Sequence, residues 1–529
     1  MANPTRGTRG MAVAPHSLAS QSALAVLREG GNAVEAMIAA AATITVVYPH
    51  MNGIGGDSFW LVKTPEGVTG IDACGAAAAG VSRSNYAGLK AIPFRGGSAA
   101  ITVAGTMSGW NAAYTMSREK LAGKLPLSRL LEDAIHYAHE GIAVTTSQHM
   151  NTRNKLAELK DIHGFAGTFL IDGAAPATGA VFKQPRLGAT LQRLVKAGLD
   201  NYYHGDLAQS IARDLAAAGS PVTLADLASH KALLRTPLQL AHSLGTLYNM
   251  PPPTQGLVSL LILGQMDRLG VKDFDHLSAD YVHAAVEATK RGFMIRDQYI
   301  TDPARMTVDP QSFLDPAKLD AMAAQIDMAK AAPWGAGKGP ADTIWMGVID
   351  GNGVAVSMIQ SIYHEFGSGV VLKETGINWQ NRGASFSLDP GHINTLEPGK
   401  KPFHTLNPAM ALFDDGRTMV YGNMGGDGQP QSQSAVFSRA AVLGLNPQDA
   451  VAAPRWLLGR TWGQVSDTLK LESRFPAATV EELKRRGHDV EVLGDYDETF
   501  GHAGCVIRHP NGNFEGGFDP RSDGGVAAF

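Results

Sequence analysis

The turn Asp350-Gly351-Asn352-Gly353 lies between two apolar runs, residues 343–349 and 354–359, and so predicts a β-hairpin. The hairpin begins abruptly. The preceding stretch, residues 331–342, is rich in Gly, Ala and Pro and has turn and linker composition, poor for helix or strand. Thr343 therefore opens a core strand directly behind Asp342. A hydroxyl held there can attack the carbonyl of the preceding peptide bond. Hydrolysis of the resulting ester then frees an α-amine to act as base for the same hydroxyl. A threonine that starts a strand after a loop is also an ordinary structural residue, and this segment alone leaves both readings open.

At 529 residues the chain is long enough for a large core or several domains. Its 44% hydrophobic and 18% charged residues are the balance of a folded protein, not a disordered one. Lys plus Arg number 45 against 49 Asp plus Glu, without a long basic run, which argues against nucleic acid as a partner. Cys74 and Cys505 supply no disulfide framework and no metal motif, so a reducing compartment is the default; whether they pair stays open. The first residues lack the apolar core of a signal peptide. The longest apolar run, 36–48, falls short of the ~20 residues of a membrane span. A cytoplasmic protein with no membrane partner is the expectation.

Glycines gather at element ends. A short helix is predicted over 21–28, ended by Gly30-Gly31, and a second over 33–41 with Asn32 as its cap and Pro49 beyond it. The loop at 53–57 leads to a strand over 58–62, which returns through Pro65-Glu66-Gly67 to a strand ending near Ile71. Apolar spacing predicts helices over 127–140, 279–299 and 477–486. Strands follow at 409–413 and 418–421, paired across Asp414-Asp415-Gly416, with a last hairpin around Pro510-Asn511-Gly512. The pattern is α plus antiparallel β, with a helical insertion between strand-forming ends.

Several signatures are absent: no G-x-S-x-G elbow, no Walker loop and no H-E-x-x-H helix. His136 and His139 share a helix face but have no third ligand in view. The glycines at 53–56 precede a strand and not a helix, which fails the test for a dinucleotide fingerprint. Gly422-Asn423-Met424-Gly425-Gly426-Asp427-Gly428 differs. It follows a strand, and its glycines can turn successive N–H groups toward one point, as an oxyanion hole or anion nest requires. A plain glycine turn between strand and helix fits it equally.

Taken together, five segments resemble the γ-glutamyltranspeptidase family of N-terminal-nucleophile hydrolases. They are Gly31-Asn32-Ala33-Val34-Glu35-Ala36 with the 49–57 loop, Asp342-Thr343 with its hairpin, Lys401-Pro402-Phe403-His404-Thr405-Leu406-Asn407-Pro408, the Gly425-Gly426 loop, and the closing Asp519-Pro520-Arg521-Ser522. The resemblance runs over nearly the whole chain and in the family's order. It implies a four-layer αββα sandwich formed by residues 1–529 as one unit. It also implies a precursor cut between Asp342 and Thr343 into a large chain, 1–342, and a small chain, 343–529, that remain associated. It carries the nucleophile to Thr343 and the oxyanion hole to Gly425 and Gly426. It sets His404 and Thr405 where the family has two serines, and Arg83 near the family's carboxylate-binding arginine.

The departures concern substrate. Arg382 stands where the family has a Gln and Ser385 where it has an Asp, the pair that holds the α-amino group of glutamate; Asn381 lies beside them. Losing an anion that pairs with an ammonium, and gaining a cation, points to an acidic substrate without an α-amine. The 360–369 loop is also longer than its counterpart. These features, with the wording of 252–260, resemble the family's amidohydrolase branch, which implies a tiny carboxylate-bearing amide such as oxamate, no metal and no organic cofactor. It also implies a place in purine or allantoin degradation, and is compatible with a homodimer. A γ-glutamyl hydrolase or transpeptidase, a glutaryl-type acylase, and an uncleaved scaffold are the alternatives.

Overall fold

The hairpin expected after Thr343 forms. Asp342–Asp350 pairs antiparallel with Ala355–Tyr363, Trp345 opposite Ile359 and Val348 opposite Val356, in a computed structural model that describes residues 3–334, 342–459 and 466–529. Asp350 fixes the turn: its Oδ1 accepts the N–H groups of Asn352 (2.9 Å) and Val354 (3.1 Å), and its Oδ2 accepts that of Ala33 (2.9 Å). The turn is thereby tied to the start of helix Ala33–Val47. That helix also begins with the expected cap, Asn32 Oδ1 accepting from Glu35 N while Glu35 returns a bond to Asn32 N.

The hairpin is central in a seven-stranded antiparallel sheet. Its order is Gly525–Ala528, Gly10–Ala14, Asp342–Asp350, Ala355–Tyr363, Asp57–Thr64, Gly67–Ala73 and Leu233–Arg235. A second seven-stranded antiparallel sheet faces it, ordered Thr5–Gly7, Phe514–Phe518, Ala503–Arg508, Thr418–Asn423, Ala409–Phe413, Gly245–Asn249 and Leu238–His242. Alternation along the Asp342–Asp350 strand distributes the layers. Ile344, Met346 and Val348 pack outward under helices Ser17–Arg28 and Ala33–Val47. Trp345 and Ile349 turn inward, against Met410, Val420 and Val506 of the second sheet. On that sheet's far face, Ala411, Met419 and Tyr421 pack beneath helices Gly256–Arg268 and Gln429–Phe437. The result is the αββα sandwich.

Trp345 is the wedge between the sheets. Its Nε1 donates to Ser357 Oγ at 2.9 Å, and a Cβ on Gly422 would lie 2.1 Å from its ring. Only glycine lets the strand leading to the Gly425 loop approach so closely. The helical insertion joins Gly67–Ala73 to Leu233–Arg235 and includes Thr106–Lys120, Thr146–Leu159, Pro185–Ala197 and Asp206–Ala217; its Trp110, Leu159, Leu191 and Ile211 extend the first helical layer's core.

Some elements differ from expectation. The helix at 127–140 is two, Leu127–Leu130 and Glu132–Glu140. The strands Gly10–Ala14, Leu238–His242, Gly245–Asn249 and Gly525–Ala528 were not expected; Gly10–Ala14, Gly245–Asn249 and Gly525–Ala528 pair with strands distant in sequence, and Leu238–His242 is a local hairpin partner of Gly245–Asn249. Cys74 and Cys505 are both buried and unbridged. Of the linker-like stretch, Ala331 N–H reaches Arg486 O (2.8 Å) and Ala332 N–H reaches Glu287 Oε1 (3.2 Å), whereas 335–341 lie outside the described residues. No described helix is long and apolar enough to cross a membrane.

The closing Asp519-Pro520-Arg521 segment locks the C-terminal end of the fold. Asp519 accepts from Ala503 N (2.6 Å), Arg521 N (3.0 Å), Arg521 Nη1 (2.9 Å) and Arg455, all buried. Burial alone would raise its carboxyl, but the guanidinium groups of Arg455 and Arg521 outweigh that and hold it at about 2. Its stabilising contribution is therefore present above the unfolded carboxylate range and is lost as pH falls through about 2. Asp519→Asn leaves two buried cations short of their anion and is expected to lose about 3–5 kcal/mol, read as a lower urea midpoint at neutral pH.

Candidate active site

Thr343 is the second residue of its strand, and the ladder slips there. Asp342 pairs with Tyr363 but Ile344 with Gln360, so the partner strand carries one extra residue opposite Thr343. Thr343 is 1% exposed. Its Oγ1 donates to Ser361 Oγ at 3.4 Å and accepts from Gln429 Nε2 at 3.5 Å. Ser361 Oγ in turn accepts the Tyr363 N–H at 2.8 Å. Just beyond the bulge, Tyr363 (φ 83°) and Phe366 (φ 59°) adopt left-handed backbone, which aromatic residues rarely do. The loop is clamped into that shape by Phe366 N–H to His50 O (2.8 Å) and by Arg95 Nη1, which donates to the carbonyls of Glu365 (2.7 Å) and Gly367 (2.5 Å). Strain of this kind concentrates at functional sites.

The glycine loop meets the threonine from the facing sheet. After strand Thr418–Asn423, Gly425 (φ 114°) and Gly426 (φ 51°) turn the chain into helix Gln429–Phe437. The turn is pinned by Gly428 N–H to Gly425 O (2.8 Å) and by Gln255 Nε2 to Gly426 O (2.8 Å). Because Gln429 contacts Thr343, the positive end of this helix lies beside the hydroxyl. That arrangement suits charge developing on a tetrahedral oxygen.

Arg382 is the most unusual charge nearby. It is 1% exposed, its guanidinium carbon lies 3.5 Å from the centre of the Tyr363 ring, and its Nη1 donates to Thr405 Oγ1 at 3.5 Å. Its Nε and Nη2 are buried and have no hydrogen-bond partner. Burial pulls its pKa down from the usual arginine value. A buried guanidinium with two idle donors is an anion receptor short of its anion. The residues it touches, Tyr363 and Thr405, line a cavity of about 280 Å³ together with Phe94, Ser385, Phe403 and Asp427. Thr343 is buried and is not itself a lining residue.

The other residues singled out from sequence fall in different places. Ser385 lines the cavity, and its hydroxyl donates to the carbonyls of Arg382 (3.0 Å) and Phe403 (3.2 Å). Asn381 is committed to the backbone, Nδ2 donating to Phe94 O (2.9 Å) and Oδ1 accepting from His364 N (3.1 Å); it shapes the cavity wall without lining it. His404 points away from the cavity. Its Nε2 meets Asp57 Oδ2 at 3.1 Å, and burial, then the Arg382 charge, push its pKa well below 6.5, so it is neutral. Arg83 is exposed on the surface turn Arg83–Tyr86 and is not among the cavity's lining residues. Of Asp342 only the backbone pairing with Tyr363 is described.

Sequence reasoning missed Gln429, Tyr363 and the ion pair on the cavity's other side. Arg296 donates to Asp427 Oδ1 and Asp297 Oδ1, each at 2.9 Å, and these anions hold its charge against burial. Gln429 lay in view, three residues past the glycine pair, but only the register of its helix against the threonine strand gives it meaning.

Among the described residues, two clusters have metal-ligand side chains within reach of one another, Asp57–Cys74–His404 and His283–Glu287–His488. Both are already hydrogen-bonded. Asp57 Oδ1 accepts from Gly75 N (3.1 Å), Gly105 N (3.0 Å) and Gln380 Nε2 (3.2 Å), and burial pushes its carboxyl up to about 6. Burial also raises the Cys74 thiol, which stays protonated. Glu287 is occupied by Lys290 (2.7 Å) and His283 by His488 (2.8 Å). A cation would have to displace these bonds.

Two facing antiparallel sheets between helical layers, with a threonine opening a central strand beside a glycine loop, define an amide-cleaving hydrolase of the N-terminal-nucleophile class. A solved structure of a cephalosporin acylase from Bacillus halodurans superposes with a TM-score of 0.91 at 33% identity, covering 100% of this chain and 97% of that one. The Gamma-glutamyltranspeptidase family model matches residues 19–529. An oxamate amidohydrolase proenzyme of Klebsiella pneumoniae is 59% identical over 523 residues, 99% of each chain. A glutathione hydrolase-like proenzyme of Bacillus subtilis is 40% identical over 98% of each. The chain belongs to the γ-glutamyltranspeptidase family.

Proposed function

We propose that this chain is the precursor of a self-processing amidohydrolase that converts oxamate to oxalate and ammonia. In processing, Thr343 Oγ1 adds to the Asp342 carbonyl carbon, the C–N bond breaks as the nitrogen takes the hydroxyl proton, and water hydrolyses the ester. The products are residues 1–342 and 343–529, the latter beginning with an α-amine. The two chains stay together because both contribute strands to each sheet, as where Asp342–Asp350 pairs with Gly10–Ala14 and Ala409–Phe413 with Gly245–Asn249. In turnover the amine takes the Oγ1 proton as the oxygen attacks the substrate carbonyl, and returns it to the departing nitrogen. The Gly425 and Gly426 amides receive the oxyanion, and water cleaves the oxalyl ester. Losing one such oxyanion donor costs ~2.7–4 kcal/mol.

The observation that carries the substrate reading is the pair of idle buried donors on Arg382, which a carboxylate beside the scissile carbonyl would fill. The 59%-identical relative named for oxamate supports it. The reading places the enzyme in the cytoplasm and in the breakdown of purine-derived allantoin. Ammonia release from oxamate is expected to exceed release from glutathione by at least about tenfold in kcat/KM, since an ammonium entering beside Arg382 would meet a like charge, and the cavity's Asp427 is already paired with Arg296. Equal or reversed rates would contradict it.

One observation favours a second reading, a longer acyl group of the glutaryl kind: the cavity of about 280 Å³ is roomy for a two-carbon substrate. A glutaryl amide turned over faster than oxamate would select it.

A further inference from the structure

The helix after the glycine loop carries three glutamines at alternate positions, Gln429, Gln431 and Gln433, all buried. Two are fully engaged by the fold. Gln431 Nε2 donates to the carbonyls of Asp427 (3.2 Å) and Leu458 (3.1 Å), and its Oε1 accepts from Leu458 N (2.8 Å). Gln433 Nε2 donates to Asn407 Oδ1 (2.9 Å), and its Oε1 accepts from Ser259 Oγ (2.7 Å). Gln429 is the exception. One end of its amide, Nε2, reaches Thr343 Oγ1 at 3.5 Å, while the other, Oε1, is buried without a donor. A buried carbonyl oxygen left without a donor is costly and rare, and it needs a reason.

The reaction supplies the donor. In the intact chain the Thr343 nitrogen is an amide with a single hydrogen. After cleavage it becomes an amine with two hydrogens, or an ammonium with three. Nitrogen and Oγ1 of one threonine sit on adjacent carbons, so an amide plane that reaches one reaches the other. We propose that Gln429 is a positioning residue of the mature enzyme: its Nε2–H holds Thr343 Oγ1, and its Oε1 accepts a hydrogen from the released α-amine, turning the nitrogen lone pair toward the hydroxyl it must deprotonate. The assignment rests on the self-processing reaction above. A neutral acceptor suits this task. It orients the amine and steadies the transient ammonium, yet lacks the full negative charge that would keep the base permanently protonated.

The test is the pH dependence of kcat/KM in wild type, Gln429→Leu and Gln429→Glu. The substrate is whichever of oxamate or a γ-glutamyl anilide the wild type hydrolyses, and rates are normalised to the processed small chain on a denaturing gel. Leucine removes both hydrogen bonds, so kcat is expected to fall about tenfold or more with KM little changed, and the acidic limb to move to lower pH. Glutamate keeps an acceptor and adds a charge that favours the ammonium, so the acidic limb is expected to move to higher pH. Limbs that coincide in all three proteins, or an effect confined to KM, would overturn the assignment while leaving the nucleophile reading intact. If the leucine variant fails to fold or process, the glutamate variant decides alone: a limb shifted upward supports the assignment, an unmoved one overturns it. N-terminal sequencing comes first, because a wild type that never exposes Thr343 would overturn both the parent reading and this one.

Discussion

Thr343→Ala is expected to leave the precursor uncut and to lower ammonia release by about six orders of magnitude, the scale of deleting a catalytic nucleophile. Alanine offers no oxygen to attack the Asp342 carbonyl, and without cleavage no α-amine exists to serve as base. The fold should be untouched, since the strand is held by its ladder to Ala355–Tyr363 and Gly10–Ala14 and by the inward packing of Trp345. Circular dichroism and thermal unfolding should therefore match wild type while the denaturing gel shows one band. Thr343→Ser restores the oxygen but loses the methyl group that stiffens the rotamer, so it should process slowly and retain part of the activity. An alanine variant that releases ammonia at the wild-type rate would remove Thr343 from the mechanism.

The second large effect concerns Arg382. Exchanging Arg382→Gln together with Ser385→Asp removes the buried cation and installs an acid able to pair with an ammonium. Loss of a desolvated partner to a carboxylate costs about 2–4 kcal/mol, or ~30- to 1000-fold in kcat/KM for oxamate. The ratio of oxamate to γ-glutamyl anilide turnover should move toward the anilide. Arg382→Gln alone should also raise the melting temperature. In the unliganded protein the guanidinium is buried with Nε and Nη2 unpaired, so removing it relieves a desolvation cost. An unchanged substrate ratio in the double variant would detach specificity from this pair, whatever happens to catalysis.

Much of this site was legible in sequence because its signals are local. The 350–353 turn names its own hairpin, and the glycines at 425 and 426 announce a backbone that only glycine adopts easily. Arg382 emerged from its position relative to the family's pattern, and the structure gives it a physical meaning, two donors with nothing to bind. Other residues take their places from geometry that the sequence does not display. His404 and Thr405 are neighbours in extended chain, where successive side chains point to opposite sides, so Thr405 reaches Arg382 while His404 turns to Asp57. Arg83 is near in sequence order but exposed, because the chain leaves the sheet at Ala73 and runs over the surface before the insertion's first long helix. Gln429 could not be read at all. Its role depends on how a helix after one sheet registers against a strand of the other, 86 residues earlier. The strand at 525–528 was silent for the same reason, since it exists through its partner at 10–14, whereas 238–242 and 245–249 form a local hairpin whose turn lacks the Asn-Gly or Asp-Gly pair that announces one.

The central claim is that Thr343 becomes the N-terminal nucleophile of a small chain that carries the acyl group. Intact-mass analysis of enzyme quenched in acid during oxamate turnover tests it most directly. The expected result is two chains, the smaller beginning at Thr343 and a fraction of it heavier by one oxalyl group that maps to Thr343. A single uncut 529-residue chain that nonetheless releases ammonia at the full rate, or an oxalyl group mapped to another residue, would contradict it.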